Sequence, residues 1–129
     1  MILIYTHNKK YVYSSEIHIP QPAAVTYDTN DDRIIVADSN NKLLIYSKDD
    51  NLLLESDISI DKPPKIRLTY DNRNDKIILC DSNGRMIQIF NEDGMLINTL
   101  NTLNYNGSNP SSIAYNTERY HICWLAWYP

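Results

Sequence analysis

No apolar run in this sequence is long enough to cross a bilayer as a helix, which takes roughly 20 residues. The opening Met1-Ile2-Leu3-Ile4-Tyr5 breaks at Thr6-His7-Asn8-Lys9-Lys10. It also lacks the charged front, apolar middle and small-residue cleavage site of a secretory signal. The cytoplasm, without a membrane, is the expected compartment. Cysteine is scarce: Cys80 and Cys123 could form at most one bridge, and no second Cys/His cluster has a zinc spacing, so buried free thiols are expected. A basic surplus is absent too. Lys+Arg 12 against Asp+Glu 16 leaves a net charge of -4, which excludes a strongly basic nucleic-acid coat but not a local basic patch.

What is present is 129 residues, 43% of them hydrophobic, enough to build the core of one domain. Ten Tyr, three Gly and six Pro accompany short Val/Ile/Leu clusters set between Asn/Asp-rich stretches. That pattern predicts strands and turns rather than helices.

The chain repeats itself. Thr26-Tyr27-Asp28 through Arg33-Ile34-Ile35-Val36-Ala37-Asp38-Ser39-Asn40 recurs 43 residues later as Thr69-Tyr70-Asp71 through Lys76-Ile77-Ile78-Leu79-Cys80-Asp81-Ser82-Asn83. Such a period matches four short strands with their turns, one propeller blade. A further half copy starts at Pro110, with Ser112-Ile113-Ala114-Tyr115-Asn116 and Arg119-Tyr120-His121-Ile122-Cys123. At the other end, Ile2-Leu3-Ile4-Tyr5-Thr6 and Tyr11 to Ile19 parallel Leu43-Leu44-Ile45-Tyr46-Ser47 and Leu52 to Ile60 at an offset of 41. With strands lettered outward, the chain reads cd-abcd-abcd-ab. Its parts are a half blade at 1–19, blades at 22–60 and 64–103, and a half blade at 110–126.

Local chemistry agrees. Asp93-Gly94 between Met86-Ile87-Gln88-Ile89-Phe90 and Met95-Leu96-Ile97 is a hairpin signal, and Asp49-Asp50-Asn51 is its weaker counterpart. Ile34-Ile35-Val36-Ala37 and Ile77-Ile78-Leu79-Cys80 are apolar at successive positions, as in strands covered on both faces.

Over Pro64 to Asp71, Lys76 to Ser82, Arg85 to Phe90 and Asp93-Gly94 the chain resembles an NHL repeat, most closely across residues 64 to 100 and least after Trp124. The resemblance implies an all-β propeller, usually of six blades, that binds protein or RNA and often forms the C-terminal part of a larger regulatory protein such as a TRIM ubiquitin ligase. The Cys/His patterns of a RING or B-box are missing, so ligase activity is not carried over.

Three blade equivalents do not comfortably close a ring. Two copies about a twofold axis supply six, each pairing its opening strands c and d with the other's closing strands a and b. The competing expectation is a fragment of a longer propeller. The ending Trp124-Leu125-Ala126-Trp127-Tyr128-Pro129 leaves the repeat and marks an interface or a truncation.

Candidate chemistry is thin. His7, His18 and His121 fall at unrelated repeat positions, with His121 aligned to Ile35 and Ile78, so no metal set is expected. Some propellers are metal-dependent lyases or hydrolases, but no matching constellation occurs here, and no cofactor is expected. Asp38 and Asp81 sit at equivalent positions, where a carboxylate before Ser-Asn caps turn N–H groups more readily than it binds calcium. Cys80 and Cys123 align with Ala37, a small buried slot, and Tyr27, Tyr70 and Tyr115 with one core position.

Charge placement says more. The d-to-a and b-to-c connections share one propeller face and carry Lys42, Lys62, Lys65, Arg67 and Arg85, with Asn40, Asn41 and Asn83 between them. The opposite face collects Asp28, Asp31, Asp32, Asp49, Asp50, Asp71, Asp75, Glu92 and Asp93, partly offset by Lys9, Lys10, Lys48 and Arg73. The expectation is a non-catalytic scaffold whose basic face meets a protein or acidic peptide, with single-stranded RNA as the alternative.

Overall fold

In a computed structural model, the described residues (2–7, 11–17, 19, 21–62, 64–101, 109–115 and 121–126) contain twelve strands and no helix. They are β1 (Ile2–His7), β2 (Tyr11–Ile17), β3 (Pro22–Asp28), β4 (Arg33–Asp38), β5 (Lys42–Ser47) and β6 (Leu52–Asp57). The second half holds β7 (Ile66–Asp71), β8 (Lys76–Asp81), β9 (Met86–Asn91), β10 (Leu96–Asn101), β11 (Asn109–Tyr115) and β12 (His121–Ala126). All pairing is antiparallel. β3-β4-β5-β6 and β7-β8-β9-β10 form two four-stranded sheets, and β1-β2 and β11-β12 form two-stranded ones. His18 and Trp127 to Pro129 lie outside the described residues, as do Lys9 and Lys10. None of the described residues belongs to a helix long and apolar enough to cross a membrane.

Successive apolar residues on β4 serve two cores, which is why this strand does not alternate. Ile35 and Ala37 join Leu43, Ile45, Ile58, Ile60, Ile66, Tyr70, Ile77, Leu79 and Phe90 between the two four-stranded sheets. Ile34 and Val36 point the other way, packing with Leu44, Ile17 and Ile19. Each fully buried Ile or Leu contributes on the order of 1.5–3 kcal/mol, so these middle strands anchor the fold. Contact between sheets concentrates on first strands, with β3 against β7, and β7 and β8 against β11. The fourth strands lie outermost: every residue of β10 is exposed, and β6 alternates between exposed and half-buried.

The turns between first and second strands recur in detail. Asp28 Oδ1 accepts from the Asn30 and Asp31 N–H groups, and Asp71 Oδ1 from those of Arg73 and Asn74. Tyr27 donates to Asp32 at 2.8 Å and Tyr70 to Asp75 at 3.0 Å, with Asp32 and Asp75 both at positive φ. The two turns also bond each other, Asn30 donating to Asp75 at 2.8 Å and Asn72 to Thr29 at 3.1 Å. Arg33 Nε meets the buried Asp28 carboxylate at 2.9 Å. Burial opposes the Arg33 charge, but the hydrogen bond and attraction of Asp28, with help from Tyr70, outweigh it and push the pKa up.

Two registers depart from the sequence alignment. β11-β12 carries a bulge after Pro110, as β3-β4 does after Pro22, and then pairs Ser112 with Trp124 where Ala24 pairs with Ala37. Trp124, not Cys123, therefore holds the place of Ala37 and Cys80, and His121 stands at Ile34 rather than Ile35. The stretch between Tyr115 and His121 is one residue shorter than that between Tyr27 and Ile34, and a one-residue slip moves a strand's side chains to the opposite face. β1-β2 shifts register between Ile4 and Tyr5, as β5-β6 does between Ile45 and Tyr46. It pairs Ile2 with Ile17 where the alignment gives Ser15, a two-residue slide that keeps the faces.

Candidate functional site

The turns between second and third strands are fastened to the connections that enter each sheet. Asp38 Oδ1 accepts from the Asn40 and Lys42 N–H groups, both at 2.9 Å, and Ser39 N–H donates to the Gln21 carbonyl at 2.8 Å. Asn41, at φ 62, accepts from Ile58 N–H at 2.9 Å. In the next sheet Asp81 accepts from Gly84 N–H at 3.0 Å and from Asp61 N–H at 3.2 Å, while Ser82 N–H donates to the Lys65 carbonyl at 2.9 Å. Both repeated acids thus act as turn caps.

The second turn is one residue longer, and Arg85 takes the place of Asn41 at φ 52. Asn and Asp tolerate the left-handed region because their short side chains bond locally. Among the described positive-φ residues Arg85 is the one that is neither Asn, Asp nor Gly. Its exposed side chain is held at a backbone cost of about 1–2 kcal/mol.

Immediately after Arg85 the chain enters a cleft of about 430 Å³ between the end of β6 and the outer strands of the next sheet. Asp57, Ile58 and Ser59 form one wall, and Met86, Gln88, Phe90, Leu96 and Thr99 the other. Gln88 is buried, and its amide donates to the Ser59 carbonyl at 2.8 Å, which fixes the two walls together. Across the register of β5 and β6, Lys42 faces Asp57, and its Nζ donates to the Asp57 carboxylate and lies 3.8 Å from Glu55. Its ammonium pKa is raised by the hydrogen bond and charge of Asp57, with Glu55 and Asp38 adding to the effect.

The structure thus divides the expected basic face. Lys42 is engaged by acids, while Lys62, Lys65, Arg67 and Arg85 are exposed. Arg67 also donates to the Ile66 carbonyl at 3.0 Å. Asn40 is exposed, and Asn41 and Asn83 are half-buried within their turns. Asp57, Asp61 and Glu55 share this region and temper its charge. The β9-β10 turn approaches the preceding sheet: a Cβ on Gly94 would lie 2.7 Å from Ser56 Oγ and 3.5 Å from Leu43, whose chain neighbours Asp57 and Lys42 form the ion pair.

Sequence reasoning missed the cleft wall formed by Met86, Gln88, Leu96 and Thr99. The one available signal was Gln88, polar within the apolar run Met86 to Phe90. Among the described residues no group of three or more His, Cys, Asp or Glu is placed to hold a metal ion. No family model matches this chain, and no curated protein matches it.

Proposed function

We propose that this chain is a non-catalytic binding module, an NHL-type partial propeller that seats an acidic segment of a partner protein in the cleft beside Arg85. Support for the propeller comes from turn contacts that recur at the repeat spacing and from sheets stacked face to face along their first strands. Support for binding comes from the apolar cleft and from Arg85, an exposed cation held in a costly backbone conformation one residue before Met86 of the cleft wall. The cleft itself offers little for catalysis, since Asp57 is engaged by Lys42 and Gln88 by the Ser59 carbonyl. Its mixed charge favours a protein segment over a phosphate backbone.

Selection of peptides from a random display library against the full chain, followed by titration of those selected, tests this reading. Acidic peptides with an apolar residue are expected, and Leu96→Asp and Arg85→Ala should each weaken them at least tenfold. Preferential capture of single-stranded RNA, with affinity falling steeply as salt is added, would replace this reading with the RNA one.

A further inference from the structure

The two four-stranded sheets provide an internal measure of what is missing beside β1-β2. Tyr27 and Tyr70 occupy one repeat position, as do Val25 and Leu68. Tyr70 is 6% exposed and Leu68 packs against the core, because the complete sheet β3 to β6 covers them. Tyr27 is 45% exposed and Val25 51%, because on that side, where Ile17 and Ile19 pack with Ile34 and Val36, the described residues supply only the two strands β1 and β2. The uncovered area is the footprint of a first and second strand.

Among the described residues one such pair lacks outer partners: β11-β12. It repeats β3-β4 in antiparallel pairing and in the bulge after its proline. We propose that β11-β12 of a second copy of this chain fills the place beside β1, covering Val25 and Tyr27, and that the exchange is mutual about a twofold axis. In the complete sheet Ala37 pairs with Leu43 and Ile35 with Ile45, so the equivalent register sets Trp124 opposite Ile2 of the second copy and Ile122 opposite Ile4. Two exposed apolar residues and two open strand edges are satisfied by one association. The inference rests on the repeat architecture of the preceding reading and not on its cleft.

Light scattering on the full chain at micromolar concentration is expected to give twice 15.0 kDa. Val25→Glu should give 15.0 kDa, while Leu53→Glu, on the outer strand β6, should leave the dimer intact. Hydrogen exchange on the unmodified protein adds a test independent of any variant: β1 amides are expected to be protected at high concentration and exposed on dilution. A monomer throughout, a dimer that survives Val25→Glu, an open-ended series of larger species, or a dimer with unprotected β1 amides each overturns the proposal. Loss of peptide binding with the dimer intact would strike the cleft reading alone.

Discussion

Tyr27 and Tyr70 hold the same place in successive sheets and donate to equivalent carboxylates, Asp32 and Asp75, yet only Tyr70 is buried. The same local chemistry therefore sits in two solvent environments, and the two positions separate what the turn contributes from what the neighbouring sheet contributes.

Alkaline pH should expose that difference. Burial, then the Asp75 hydrogen bond and the Asp28 charge, push the Tyr70 pKa up, with Arg33 pulling weakly against them. A raised phenol favours the protonated form in the folded state, so its stabilisation is complete below the unfolded value of about 10 and is lost as pH rises from there toward the folded value. Denaturation series between neutral pH and strongly alkaline pH are expected to show that decline. Tyr70→Phe should reduce its steepness, while costing about 1 kcal/mol at neutral pH through the lost hydrogen bond. Tyr70→Ala should cost about 3 kcal/mol and Tyr27→Ala much less in the monomer.

Arg85→Gly is expected to move stability and binding in opposite directions. Gly relieves the φ 52 backbone at no steric cost, which outweighs the extra freedom it gives the unfolded chain, so stability should rise by a few tenths of a kcal/mol. Loss of the guanidinium one residue before the cleft-lining Met86 should weaken an acidic peptide. Denaturant melts and peptide titrations on the same preparation check both signs; unchanged peptide affinity would remove Arg85 from the site.

How much of this was legible in the sequence depends on the range of the interaction. The turn caps at Asp28, Asp38, Asp71 and Asp81 are local, closing within two to four residues, and the repeat displayed them. The double-sided burial of β4 followed from four consecutive apolar residues. The β11-β12 register was not legible, since the length of the stretch before His121 decides it and a repeat alignment absorbs a missing residue silently, and the two-residue slide of β1-β2 leaves no mark in an alignment at an offset of 41. The Lys42–Asp57 pair joins residues 15 apart and depends on the β5-β6 register, so a linear charge map counted Lys42 as a free cation. The cleft joins β6 to β9 and β10 across a sheet boundary, which no pattern within one strand could reveal.

Gly94 should be hard to replace. It stands at φ 80, where the third and fourth strands turn, and its Cα faces Ser56 of the preceding sheet. Gly94→Ala meets the left-handed penalty and the 2.7 Å approach to Ser56 Oγ together, for an expected loss of about 2 kcal/mol. Asp50 holds the corresponding turn in the first sheet at φ 68. Pairing Gly94→Ala with Ser56→Gly should recover part of the loss if the contact matters and none of it if the backbone alone is responsible.

Removing the cap at Asp81 should cost more than one turn. Its carboxylate holds Gly84 N–H within the turn and Asp61 N–H in the connection between the two four-stranded sheets, and it is fully buried. Asp81→Ala strands both donors, for an expected loss of about 2–3 kcal/mol in denaturant unfolding, whereas Asp81→Asn keeps one acceptor and should cost less. Asp38→Ala breaks the equivalent cap to Asn40 and Lys42 without the inter-sheet bond, so the smaller loss is expected there. Calcium distinguishes this role from ion binding. With the carboxylate oxygens already committed to backbone donors, millimolar calcium should leave the melting temperature unchanged, and a rise that disappears in Asp81→Asn would make the repeated acid a ligand instead.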